Sequence, residues 1–185
     1  MSVQVKCSAE EALKKLKDGN ERYLATEKSE GDVSLAIRQK TCAEGQTPYA
    51  IVVTCSDSRV IPESIFSAGI GDIFVIRVAG NVIDKHQLGS IEYAADHLGS
   101  RLVVVMGHTN CGAVGAAMGS APEGFVKFIT DEIKKAIGEE KDNYKACCLN
   151  VRNSVQAIED SLEIKDGLQV CGAVYHIDDG RVEFI

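Results

Sequence analysis

Two short segments carry side chains that together can hold a metal ion. The first is Cys55-Ser-Asp57-Ser-Arg59 and the second is His108-Thr-Asn-Cys111-Gly112. Two thiolates and an imidazole form a ligand set for tetrahedral zinc, at about 2.3 Å to sulfur and about 2.0 Å to nitrogen. Three protein ligands leave a fourth position for water, the mark of a catalytic rather than a structural site. Each segment alone is a weak signal, and only the combination points to a metal. Asp57 lies two residues from a ligand, so its carboxylate can reach the open position or the water on it. Arg59 can hold that carboxylate in a bidentate fork and keep it ionised. In that role the pair would orient a zinc-bound hydroxide by accepting its proton in a hydrogen bond. An ordinary buried ion pair is the alternative.

These side chains must be delivered to one place, and the hydrophobic pattern says how. Tyr49–Thr54, Ile73–Val78 and Leu102–Met106 are short apolar runs rich in β-branched residues, the pattern of parallel strands buried on both faces. Cys55 follows the first run at once, and His108 follows the third after Gly107. In a parallel sheet the carboxyl ends of the strands share one edge, and ligand sites form there. Cys111 opens the helical stretch CGAVGAAM, where free amides and the helix dipole favour a thiolate.

Elsewhere, Ser8-Ala-Glu-Glu11 is a capping box that starts a helix over roughly 8–25. A polar loop and a second helix around 33–43 precede the break Gly45-Gln46-Thr47-Pro48. Gln87–Leu98 reads as an amphipathic helix, and further helices fall near 122–140 and 143–162. A fourth apolar run, Leu168–Ile177, passes through Asp178-Asp-Gly180 into Arg181–Ile185, and this Asp-Gly turn makes the last strand antiparallel. The expected fold is a three-layer α/β domain over 1–185. Its mainly parallel four-stranded sheet carries an antiparallel carboxyl-terminal edge strand and is flanked by helices.

Composition narrows the function classes. The 185 residues carry 20 basic and 27 acidic side chains, a net charge of −7, which speaks against a nucleic-acid or membrane-surface partner. The amino-terminal stretch has no apolar run of signal-peptide length, and no run is long enough to span a membrane. Seven cysteines cannot all pair within the chain. A reducing, cytoplasmic setting is therefore expected, with Cys7, Cys42, Cys147, Cys148 and Cys171 as bystanders. His86, His97 and His176 offer no convincing proton shuttle.

The segments CSDSRV, GDIFVIRVAGN, SIEYAADHL and HTNCGA, in this order and spacing, resemble the β-class carbonic anhydrases from about residue 8 onward. The resemblance implies one zinc ion per subunit, held by Cys55, His108 and Cys111, and interconversion of carbon dioxide and bicarbonate. It makes Asp57 and Arg59 the catalytic dyad, with a closed form in which Asp57 takes the fourth zinc position. Gln46 resembles a glutamine that bonds substrate across a dimer interface. Phe74, Ala79 and Tyr93 match positions lining an apolar substrate wall, and Gly112 a glycine whose amide points into the site. A homodimer or higher even-numbered homo-oligomer follows, with residues of about 1–30 as a helical arm on the partner, its apolar stripe detached from the chain's own sheet. Val52 stands where bicarbonate-regulated members have tryptophan, which argues against that regulation. Val78 stands where many relatives have asparagine. Two thiolate ligands should keep the pKa of a bound water high, so activity is expected to rise with pH above neutrality. A carbonyl sulfide or carbon disulfide hydrolase, and a non-catalytic zinc module, are the alternatives.

Overall fold

The computed structural model describes residues 5, 7–119, 122–161 and 167–185. One five-stranded sheet organises them. Its strands are β1 (Ala50–Thr54), β2 (Ile73–Arg77), β3 (Leu102–His108), β4 (Gln169–Tyr175) and β5 (Val182–Phe184). They lie in the order β2-β1-β3-β4-β5, with β1 through β4 parallel and β5 antiparallel to β4. The first and third apolar runs are thus hydrogen-bonded neighbours, as a shared site requires. β3 runs two residues past the expected Met106, because Gly107 and His108 keep their register with Val174 and Tyr175.

Alternation along the strands divides the core. Ala50, Val52, Leu102, Val104, Met106 and Ala173 face α1 (Ala9–Thr26) and the short α3 (Pro62–Ile65). Ile51, Val53, Val103, Val105 and Val174 face α4 (Lys85–His97) and α7 (Asn143–Ser161). This is the expected three-layer arrangement. Two further helices, α5 (Gly112–Met118) and α6 (Val126–Ile137), close a third cluster that contains Cys55, Cys111 and Cys147. α6 is shorter than the 122–140 stretch expected, since Gly124 and Gly138, both at positive φ, bracket it. Residue 162, the expected end of the last helix, lies outside the described residues.

α1 starts at the capping box, with the Ser8 hydroxyl accepting from the Glu11 amide and Glu11 reaching back to Ser8. Its apolar stripe of Ala9, Ala12 and Leu16 is buried on the chain's own sheet, with Leu16 fully covered. The expected detachment of this stripe from the sheet therefore does not hold. Gly19 explains how closely the helix sits: a Cβ there would lie 2.0 Å from the Phe66 carbonyl oxygen. Asn20 then ties the helix to β5, donating to the Gly180 and Ile65 carbonyls and accepting from the Val182 amide. By contrast α2 (Leu35–Glu44) buries no residue, and its first residue Leu35 and Val33 just before it stay exposed.

Candidate metal centre

Register brings the two motifs together. Thr54 pairs with Met106 across β1 and β3, so Cys55 and His108 leave the sheet one residue apart at its carboxyl edge. The Thr54 hydroxyl donates to the Met106 carbonyl at 2.8 Å and pins that register. Cys111 arrives as the residue capping α5, after a tight turn in which Asn110 has a φ of 55°. The donor atoms of Cys55, His108 and Cys111 lie within 4.8 Å of one another, and all three residues are buried.

Three observations show that this donor set fits zinc. A tetrahedral centre at about 2.3 Å from sulfur holds two sulfurs about 3.8 Å apart, inside the 4.8 Å within which all three donor atoms lie. His108 Nδ1 lies 2.9 Å from the Thr109 carbonyl, which can only accept, so the ring proton sits on Nδ1 and Nε2 keeps its lone pair. That Nε2 is buried and has no hydrogen-bond partner, a costly state for a polar atom unless an ion takes it up. The third observation is electrostatic. The Cys55 thiol is driven well below its ordinary pKa, first by the hydrogen bond from Cys111 and then, against burial, by His108 and the Gly80 amide. Cys111 is pushed up, first by that same bond and next by burial. Two buried thiols this close hold one negative charge between them, and a divalent cation is what lets both ionise.

Asp57 and Arg59 stand beside this set as a fork. Arg59 Nε donates to Asp57 Oδ1 at 2.9 Å and Nη2 donates to Oδ2 at 2.7 Å, while the Arg59 amide also donates to Oδ1. The guanidinium, more than burial opposes, holds the Asp57 carboxyl well below the usual carboxylate range. Asp57 Oδ2 lies 3.8 Å from His108 Nε2, too far for a hydrogen bond. The carboxylate therefore borders the donor set without joining it.

Residues 50–182 match the family described as carbonic anhydrase. The chain belongs to the β-carbonic anhydrase family. A carbonic anhydrase of Mycolicibacterium smegmatis is 39% identical, the match spanning 93% of this chain and 91% of that one. Carbonic anhydrase 2 of Mycobacterium tuberculosis is 37% identical over 92% of this chain and 89% of its own length. Among solved structures, the Coccomyxa β-carbonic anhydrase in complex with acetazolamide superposes with a TM-score of 0.72 at 26% identity, covering 89% of this chain and 82% of that one. A tetrameric β-carbonic anhydrase of Sordaria macrospora has the same fold, with a TM-score of 0.72 at 24% identity over 82% of this chain and 87% of that one.

Set against these family positions, the expected pocket residues divide. Ala79 lies in a 3-10 turn (Ala79–Asn81) whose Gly80 amide donates to Cys55 Sγ at 3.3 Å, and Gly112 follows Cys111 directly. Both are at the donor set. Phe74 pairs with Ile51, four residues before Cys55, which is about 13 Å back along the strand. Tyr93, half-exposed on α4, stacks obliquely on Phe74 at 6.3 Å between centroids, and His97 continues the row at 5.3 Å. Gln46 is exposed before β1, at the amino edge of the sheet. One chain does not bring Gln46, Phe74 or Tyr93 to its own donor set.

Several supporting residues escape a reading of the motifs alone. Arg77, the last residue of β2, donates to the Cys55 and Asp57 carbonyls and latches the loop between them. Gly80, at φ 69°, lies where a Cβ would meet Ile133 Cδ1 at 2.6 Å, so only glycine brings the amide to Cys55. Asn150 and Ser154 of α7 donate to the Gly80 and Asn81 carbonyls and clamp the same turn. Their signal was available: Asn143, Cys147, Asn150 and Ser154 recur at spacings of four, three and four, a polar stripe on one helix face.

Proposed function

We propose that this chain catalyses the reversible hydration of carbon dioxide to bicarbonate and a proton, using one zinc ion held by Cys55, His108 and Cys111. The observation that carries this is the buried, otherwise unpartnered His108 Nε2 between two thiols, beside an arginine-held carboxylate, in a chain of this family. Zinc there would supply Lewis acidity, lowering the pKa of a water in its fourth position, an effect for which carbonic anhydrase is itself the standard example.

The chain's own groups supply the rest. Asp57, kept ionised by Arg59, accepts the proton of the attacking oxygen in a hydrogen bond and so turns that oxygen's lone pair toward the substrate carbon. Because Arg59 engages both carboxylate oxygens, Asp57 is held off the donor set, which favours a working site over a permanently closed one. The Gly112 amide serves a substrate oxygen, and Ala79 contributes apolar wall. Gln46, Phe74 and Tyr93 act from a second subunit, a reading supported by their distance from the donor set of their own chain. The unburied α2 with Val33 and Leu35 offers that subunit an apolar face, so the homodimer is the smallest complete unit.

The cytoplasm is the compartment this reading takes, supported by seven free thiols. No described helix is long and apolar enough to cross a membrane. Stopped-flow hydration from about pH 6.5 to 9 tests the function, with chelator and after zinc is restored. Activity is expected to vanish with chelator and return with zinc. Absence of zinc-dependent hydration at every pH overturns the reading.

A further inference from the structure

The Asp57–Arg59 fork is anchored from outside both motifs. Besides gripping Asp57, Arg59 Nη2 donates to the Asn110 carbonyl at 3.3 Å. Asn110 sits in a left-handed conformation between two zinc-ligand positions, a geometry asparagine tolerates but that costs on the order of 1 kcal/mol. Its amide donates to Asn143 Oδ1 at 3.0 Å. Asn143 is the first residue of α7, a 19-residue helix started by the bond from the Ala146 amide to the Asp142 carbonyl, to which the Asp142 side chain adds a bond from the Lys145 amide. A continuous chain of hydrogen bonds thus runs from a rigid helix through Asn143 and Asn110 to Arg59 and Asp57.

We propose that Asn143 is a positioning residue for the dyad, its side-chain oxygen holding the Asn110 turn in the place where the Asn110 carbonyl receives Arg59. It touches neither the donor set nor substrate. Arg59 is half-exposed and long, and among the described residues its side-chain bonds outside the fork rest on that one carbonyl. If the Asn110 turn relaxes, Arg59 loses that anchor and the Asp57 carboxylate loses its fixed orientation. This role rests on the reading of Asp57 and Arg59 given above, and zinc-dependent hydration by the unaltered enzyme tests that reading separately.

The test compares three variants of the zinc-loaded enzyme. Asn143→Ala removes the acceptor and is expected to lower kcat/KM about tenfold, with zinc content still one per chain. Asn143→Asp keeps an acceptor oxygen in place and is expected to stay within about threefold of the parent. Asp142→Ala removes only the side-chain bond to Lys145 and keeps the carbonyl bond that starts α7 and the Asn143–Asn110 contact; it should lower the melting temperature and leave kcat/KM alone. A readout independent of activity is the Arg59 Nε–H signal in a proton–nitrogen correlation spectrum, assigned by its loss in Arg59→Lys. It is expected to shift and exchange faster with water in Asn143→Ala and to remain in place in the other two. The proposal is overturned if Asn143→Ala keeps the parent's kcat/KM and Arg59 signal, if Asn143→Asp is as impaired as Asn143→Ala, or if Asp142→Ala reproduces the loss. The last two outcomes would assign Asn143 a purely structural role.

Discussion

The two edges of the parallel sheet are built on opposite terms. At the carboxyl edge, Cys55, His108 and Cys111 are buried, Thr54 locks their register, and Asp57, Arg59, Arg77, Gly80 and Asn110 are joined by hydrogen bonds within one chain. At the amino edge, Gln46 is exposed, α2 buries nothing, and Tyr93 presents half its surface. Buried donors framed by hydrogen bonds within one chain mark a device that needs only its ion, whereas exposed apolar and aromatic surface marks one that a partner can cover. The contrast supports the proposal that one chain of this fold supplies only part of a working site.

The largest effect should come from breaking the complete edge. Cys55→Ala or Cys111→Ala leaves two ligands for zinc and uncouples the thiol pair. Zinc content should fall to a small fraction of one per chain, and hydration by on the order of a thousandfold or more. Metal analysis and stopped-flow rates check this together. A variant that kept zinc and full activity would show that the buried donor set is not the seat of the reaction.

One step smaller is the dyad. Asp57→Ala should keep its zinc yet lose about a hundredfold in kcat/KM, the scale on which a single positioned hydrogen-bonding group acts in a transition state. Arg59→Lys retains the charge but not the fork, so a loss of about tenfold is expected despite the apparent conservatism of the change. If Asp57→Ala were as active as the parent, the fork would be an ordinary ion pair, which was the alternative open from the sequence.

The amino edge is sharpened by a mixing experiment. Gln46→Ala alone should lower kcat/KM about tenfold with zinc unchanged. Co-expression with Cys55→Ala then separates action within one chain from action across two. If Gln46 serves the partner's site, each mixed dimer contains one site with both defects and one with neither. Random pairing then gives about a quarter of parental activity, against about one-twentieth if Gln46 serves its own chain. The lower value would leave the amino edge without the role proposed for it.

How much of this was legible follows the same division. The strands, the parallel order, the capping box at Ser8 and the convergence of Cys55 with His108 all follow from local pattern and from the rule that parallel strands end on one edge. The donor set was legible because its three ligands sit in two compact motifs. Gly80 was not, because what matters there is a backbone amide and a carbonyl aimed across the fold, which residue type does not reveal; the polar stripe holding Asn150 was readable, but not the Gly80 carbonyl that it serves. The position of α1 was misread for a different reason. The polar loop of 26–34 suggested separation, but loop polarity does not constrain where the helix before it docks, and Leu16 with Gly19 fits against Phe66. Gln46, Phe74 and Tyr93 rested on resemblance alone, since no spacing rule links them to the ligands.

A test that should leave activity unchanged separates two parts of the amino-terminal region from each other. Cys171 lies at the start of β4 beneath α1, and burial raises its thiol pKa to about 11. At pH 8 about one thiol in a thousand is then ionised, against roughly a quarter of an ordinary free thiol, and the thiolate is the form that alkylates. The neutral form is the one the fold favours, so the reactive fraction should grow about tenfold per pH unit until pH approaches 11. Cys171 should therefore react with iodoacetamide at least a hundredfold more slowly than a small free thiol, read by mass spectrometry of its peptide. Cys42, exposed on α2 of the single chain, reports separately on whether a second subunit covers that helix. An α1 that swung away onto a partner would uncover Cys171 and restore an ordinary rate. Slow alkylation of Cys171 places α1 in the chain's own core, and slow alkylation of Cys42 in the dimer, lost on dissociation, would mark α2 as the face that a second subunit covers.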